Sequence, residues 1–239
     1  WEAPQRWPDS FDPADWPTVA TSIRNPWDWY VSLWAYGCTG NGALHNKLTN
    51  PTPLRAISQS VRHPTRIAQS VNQELTKPWR EWRELYADAH DPELFREWLH
   101  RLLETDLAYA AREEFAPNPI SRFAGLFTYR YVRMTTSNFS AFSGFKGPRT
   151  LGELKAFDRE HNVVTDTIRQ ENLAEDFVAV LESAGYELSE EERAAVEGGE
   201  ARKKSERREA AYYYDERSRA LVRLREALII DKYGYQFPG

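Results

Sequence analysis

The sequence predicts an α/β fold, and three observations carry that reading. A run rich in β-branched residues, 18–23, reads as a buried strand and leads at once into a capped helix. A second run, 162–170, holds Val163, Val164, Thr165, Thr167 and Ile168 and leads into an amphipathic helix. Between the two lies a long stretch whose apolar residues recur at helical spacing. Strand–helix units of this kind are the ordinary material of α/β architecture.

The first junction is the most informative. Arg24 ends the strand, Asn25 is a good N-cap, Pro26 takes the first helical position, and Asp28 falls in the first turn, where negative charge is favoured. Trp27, Tyr30, Val31 and Trp34 then recur on one face. The turn sets a guanidinium at the carboxyl end of the strand, beside helix N–H groups, an arrangement suited to a phosphate.

A length of 239 residues suits a single domain over 1–239, with 37–160 as a mainly helical insertion with loops. The formal charge of −5 argues against a general nucleic-acid or membrane-surface binder and leaves room for a local anion site. Cys38 is the only cysteine, so no internal disulfide and no cysteine-built structural zinc site is expected. No apolar run approaches the roughly 18 residues that span a bilayer, and the amino-terminal residues lack a signal-peptide pattern. A cytoplasmic, bacterial protein is the simplest expectation, with a Golgi lumenal fragment as the alternative. The nine Trp, twelve Tyr and eleven Phe are expected mostly in the core, where each buries a large apolar area.

The remaining elements follow in chain order. Residues 1–16, with Pro4, Pro8 and Pro13, read as irregular. Residues 37–53 read as a loop; their glycine run follows a helix and lacks the Lys-Ser/Thr ending of a phosphate loop, so Gly37 is expected as a helix C′ residue. Residues 54–76 read as partly helical. Trp79, Trp82 and Leu85 mark one helix, and Asp91-Pro92 starts another with Leu94, Phe95, Trp98, Leu99 and Leu102 in its stripe. Residues 116–150 are punctuated by Pro and Gly; Phe139, Phe142 and Phe145 pin a loop there, or else form a lid over an apolar acceptor. Leu173, Phe177, Val180, Leu181 and Ala184 share a face of a helix ending near Gly185. A basic run follows, with Arg202, Lys203, Lys204, Ser205, Arg207 and Arg208, and then a final helix capped by Asp215 and stopped at Gly234.

The string Arg24, Asn25, Pro26, Asp28, Val31, Ser32 resembles the 3′-phosphate-binding motif of sulfotransferases that use 3′-phosphoadenosine 5′-phosphosulfate (PAPS). Residues 169–173 and the ending Tyr233-Gly234-Tyr235-Gln236-Phe237 resemble the matching regions of bacterial and Golgi-type members. The resemblance implies a P-loop-NTPase-like three-layer core with a parallel sheet. It implies that Arg24 and Ser32 hold the 3′-phosphate, with Lys203, Lys204, Ser205 and Arg208 as further phosphate contacts. It also implies transfer of a sulfuryl group from PAPS to a hydroxyl of a small-molecule or carbohydrate acceptor, releasing adenosine 3′,5′-bisphosphate, with no metal required.

The catalytic base is not identified by the sequence. Related enzymes use His or Glu, commonly upstream of the motif, whereas all five histidines here lie downstream, and His45 is the one candidate among them. The family also carries a strand and a lysine-bearing phosphate loop before the motif. Such a unit needs roughly 30 residues, and only 17 precede Thr18. Either a longer natural chain supplies it, or the domain is a degenerate module that binds a nucleotide or a partner without chemistry. An ATP-dependent kinase relative is a further alternative, and it would need an acidic metal motif that is not evident here.

Overall fold

A computed structural model describes residues 18–50, 76–104, 115, 118–143, 147–199 and 207–239. Both expected strands form, as β1 (Ala20–Ile23) and β2 (Asp166–Arg169). They pair in parallel, Ala20 opposite Asp166 and Ile23 opposite Arg169. In this register the carboxyl ends of the two strands lie side by side, so the residues after Ile23 and after Arg169 meet at one edge. The other regular elements among the described residues are helical, giving a mostly helical protein with a small parallel sheet, within the α/β class.

Between the strands run α1 (Pro26–Cys38), α2 (Ala43–Thr49), α3 (Trp79–Glu84), α4 (Pro92–Leu103), α5 (Leu126–Thr135), α6 (Phe139–Ser143) and α7 (Leu151–His161). After β2 come α8 (Leu173–Ser183), α9 (Glu190–Glu197), α10 (Ala210–Tyr213), α11 (Glu216–Arg225) and α12 (Ala227–Tyr233). Helix α1 is the hub: it packs against α2, α4, α10 and α11. Its Trp27, Tyr30, Val31 and Trp34 are buried, as the spacing predicts. Trp82 of α3 and Trp98 of α4 are buried as well. Three buried indoles spend their N–H groups within the core, Trp27 on the Arg219 carbonyl (3.1 Å), Trp34 on the Leu85 carbonyl (2.8 Å) and Trp98 on the Tyr86 hydroxyl (2.7 Å). A buried polar atom needs such a partner, so these bonds fix how the helices rotate against one another.

Several expectations change. Residues 37–53 are not one loop: α1 continues to Cys38 and α2 forms behind it. Gly37 lies inside α1, because the Tyr86 ring packs where a Cβ would stand. The left-handed conformations fall instead at Gly40 (φ 75°) and Gly42 (φ 98°). Residues 116–150 hold α5 and α6, and Phe142 is fully buried, which removes it from any lid; Phe145 lies outside the described residues. Helix α7, started by a Thr150 side-chain cap on the Glu153 N–H, was not anticipated. Helix α8 forms where expected, but Leu173 and Phe177 are 49% and 38% exposed and Val178 is the buried residue. A two-stranded sheet is too narrow to cover the whole apolar stripe of the helix beside it. No helix among the described residues is long and apolar enough to cross a membrane.

Candidate anion-binding site

The cap at the head of α1 forms as its residue types require. Asn25 accepts the Trp27 N–H on Oδ1, and Pro26 occupies the first helical position. Arg24, the last residue before this cap, turns along the helix and donates from Nε to Asp28 Oδ2 at 2.5 Å, its terminal nitrogen pairing with the same carboxylate. The other oxygen, Asp28 Oδ1, accepts from Arg207 at 2.6 Å. One carboxylate thus holds two guanidiniums, leaving one positive charge over. The side chains of Arg24, Arg207 and Asp28 are 29%, 15% and 23% exposed, so solvent screens the pairs only in part. A guanidinium has five N–H donors, so neither arginine is exhausted by Asp28.

The same edge gathers the end of β2 and the carboxyl-terminal tail. Glu171, just past β2, accepts the Asn25 N–H at 2.7 Å and the Tyr235 hydroxyl at 3.3 Å. Asn25 Nδ2 donates to the Gln236 carbonyl at 2.7 Å, so one side chain caps the helix and pins the tail. Phe237 meets Trp27 and Tyr214 edge-on at 5.7 Å each, and the Tyr214 hydroxyl donates to the Trp27 carbonyl. Residues 24–28, 169–173 and 233–237, remote in sequence, therefore form one hydrogen-bonded cluster at the strand ends. Parallel α/β sheets present their ligand sites at such ends.

Ser32 stands one turn beyond Asp28 on α1 and is half-buried; the four-residue spacing puts it on the Arg24–Asp28 side of the helix. Arg208 is exposed, stacks on the Tyr212 ring at 4.5 Å, and donates its backbone N–H to the Tyr213 hydroxyl. It neighbours the cluster without touching Asp28. Lys203, Lys204 and Ser205 lie outside the described residues. Among the described residues of the basic run, Arg207 reaches Asp28, and sequence reasoning noted it only as part of the run. Its only signal there was that it belongs to a cationic stretch.

His45 sits elsewhere. It belongs to α2, which follows the far end of α1, and its ring packs on Tyr86 at 4.9 Å. Helix α1 spans 13 residues, or about 20 Å at 1.5 Å per residue, so His45 and Arg24 stand at opposite ends of it. Burial lowers the His45 pKa, against the Asn46 hydrogen bond, which raises it, and with a further lowering by Arg83. The structure does not bring the ring to the arginine pair.

A second helix head, that of α5, is built quite differently. Glu226 is fully buried and its carboxylate accepts the N–H groups of Phe127 (3.3 Å) and Thr128 (2.7 Å) and the Thr128 hydroxyl (2.6 Å). The Tyr30 hydroxyl of α1 donates to it too. Gly125 leaves the room this needs, since a Cβ there would collide with the carboxylate. Burial pushes the Glu226 carboxyl up to about 7, against the pull of the four hydrogen bonds. Burial and the same carboxylate push the Tyr30 hydroxyl well above its ordinary range.

No group of three or more His, Cys, Asp and Glu placed to hold a metal ion occurs among the described residues. Comparison of the chain with protein-family models, with curated proteins and with solved structures finds no match.

Proposed function

We propose that this chain binds the 3′-phosphate end of PAPS at the head of α1 and acts as a sulfotransferase-type domain on a hydroxyl acceptor. The single observation that carries the reading is the Arg24–Asp28–Arg207 cluster at the carboxyl end of β1. Its residues fit the group: two guanidiniums offer planar, paired donors to phosphate oxygens, and Asp28 fixes their direction without cancelling their charge. Ser32 adds a hydroxyl donor one turn along. On this reading β1 and β2 belong to a P-loop-type three-layer core.

The reaction is a displacement at sulfur. The acceptor oxygen forms a bond to the sulfur, the bond from sulfur to the 5′-phosphate oxygen breaks, and the acceptor proton passes to a base. Adenosine 3′,5′-bisphosphate leaves with the electron pair. What this chain's own residues contribute is placement: holding the 3′-phosphate fixes the cofactor at the strand ends, turning an encounter into an oriented complex. An acceptor of small-molecule or carbohydrate type remains part of the proposal.

The test compares adenosine 3′,5′-bisphosphate with adenosine 5′-phosphate by calorimetry. The reading expects the 3′-phosphate to strengthen binding by about tenfold or more. Equal affinity for the two nucleotides would sink it. Binding without turnover of PAPS in the presence of phenol and sugar acceptors would favour the non-catalytic module instead.

A further inference from the structure

Helices α7 and α12 also flank an open cleft of about 450 Å³, within the volume range of small-ligand sites. The cavity alternates donors and acceptors. Lys155 on α7 pairs with Asp231 on α12 at 2.7 Å, and Lys232 on α12 pairs with Asp158 on α7 at 2.6 Å. The two bridges cross the cleft in opposite directions. Asp158 is 4% exposed, and its second oxygen accepts from Asn162 at 2.7 Å. Arg159, one turn beyond Lys155, also lines the cavity, is exposed, and has no ion-pair partner among the described residues. Val164 and Leu228 supply an apolar wall.

Three cations against two carboxylates leave the lining with one positive charge over. An ammonium has three N–H donors and a carboxylate about four acceptor positions, so the two bridges leave both kinds of group with unspent capacity. A neutral polyol would leave the extra charge unmatched, and a bare carboxylate would leave unused the acceptor positions that Asp158 and Asp231 keep beyond their bonds to Lys232, Asn162 and Lys155. We propose that this cavity binds a small hydroxy acid, whose carboxylate meets Arg159 and Lys155 and whose hydroxyls donate to Asp158 and Asp231. The lining shares no residue with the arginine pair at the head of α1, and the proposal does not depend on the nucleotide reading.

Calorimetric titration of the full chain with D-gluconate, sorbitol and acetate tests it. Gluconate is expected to bind at least about tenfold more tightly than either of the others, since it alone satisfies both halves of the lining. The pair of substitutions Lys155→Gln and Arg159→Gln is expected to weaken gluconate about tenfold while leaving the far-ultraviolet circular dichroism unchanged, because both side chains are at the surface. Arg159→Gln alone, which breaks no ion pair of the described residues, is expected to give part of that loss. Absence of gluconate binding, equal binding of sorbitol or acetate, or gluconate binding that survives both substitutions would each overturn the proposal.

Discussion

Two helix heads in this protein face the same physical problem and solve it in opposite ways. Every α-helix begins with N–H groups that lack partners and with a partial positive charge. At the head of α5 the chain supplies its own carboxyl group: Glu226 is buried against Phe127 and Thr128, and Tyr30 seals it. At the head of α1 the cap is a neutral asparagine whose own N–H is taken by Glu171, and Arg24 and Arg207 stand on either side of Asp28. One head is closed and structural. The other holds two arginines on one carboxylate near solvent, where partly exposed ion pairs contribute only about 0–1 kcal/mol. The difference separates residues whose loss unfolds the protein from residues whose loss affects only what it binds.

The largest expected effect lies at the closed head. Glu226→Ala strips four buried donors of their acceptor and should destabilise the fold by about 3–5 kcal/mol, read from urea unfolding midpoints. A change below about 1 kcal/mol would mean that the carboxylate is not the organising group there.

A second prediction uses proton linkage. The folded carboxyl of Glu226 titrates near 7, above its ordinary value of 4.5. Between those values the folded protein holds a proton that the unfolded chain has released. The Glu226 contribution is therefore fully present below pH 4.5 and is lost as pH rises through 7. Glu226→Gln cannot titrate. The stability difference, wild type minus Glu226→Gln, should fall by about 1–3 kcal/mol between pH 5 and pH 8. A difference that is flat or rises with pH refutes the shift. Changes at the open head, by contrast, should leave the unfolding midpoint nearly where it is. Ser32→Ala is the smallest expected effect, with affinity for adenosine 3′,5′-bisphosphate about three- to tenfold weaker and stability unchanged; an unaltered affinity would remove Ser32 from the site.

The same contrast explains what the sequence made legible. Caps are local chemistry, so Asn25, Pro26, Asp91 and Pro92 announced their helices, and β1 and β2 were visible as β-branched runs. Arg24 was legible because it stands between a β-branched run and a helix cap, although its pairing with Asp28 was not anticipated. Arg207 was not, because it reaches that carboxylate across 179 residues. Glu226 was equally silent, its meaning resting on Tyr30 at a separation of 196 residues and on the bare Cα of Gly125. Gly37 was read as a helix terminator because terminal glycines are common, whereas the contact that requires it is the Tyr86 ring. Leu173 and Phe177 looked like core because periodicity records amphipathicity, and periodicity does not record how wide a sheet lies beneath the helix.

On the proposed reading, Arg24 and Arg207 form one phosphate site through Asp28. Calorimetric titration of adenosine 3′,5′-bisphosphate into the wild type, Arg24→Ala, Arg207→Ala and the double variant tests it most directly. Each single change is expected to weaken binding by about tenfold to a hundredfold at unchanged stability, and the double change to cost less than the two losses added, since the arginines act as a unit. Wild-type affinity in either single variant would contradict it.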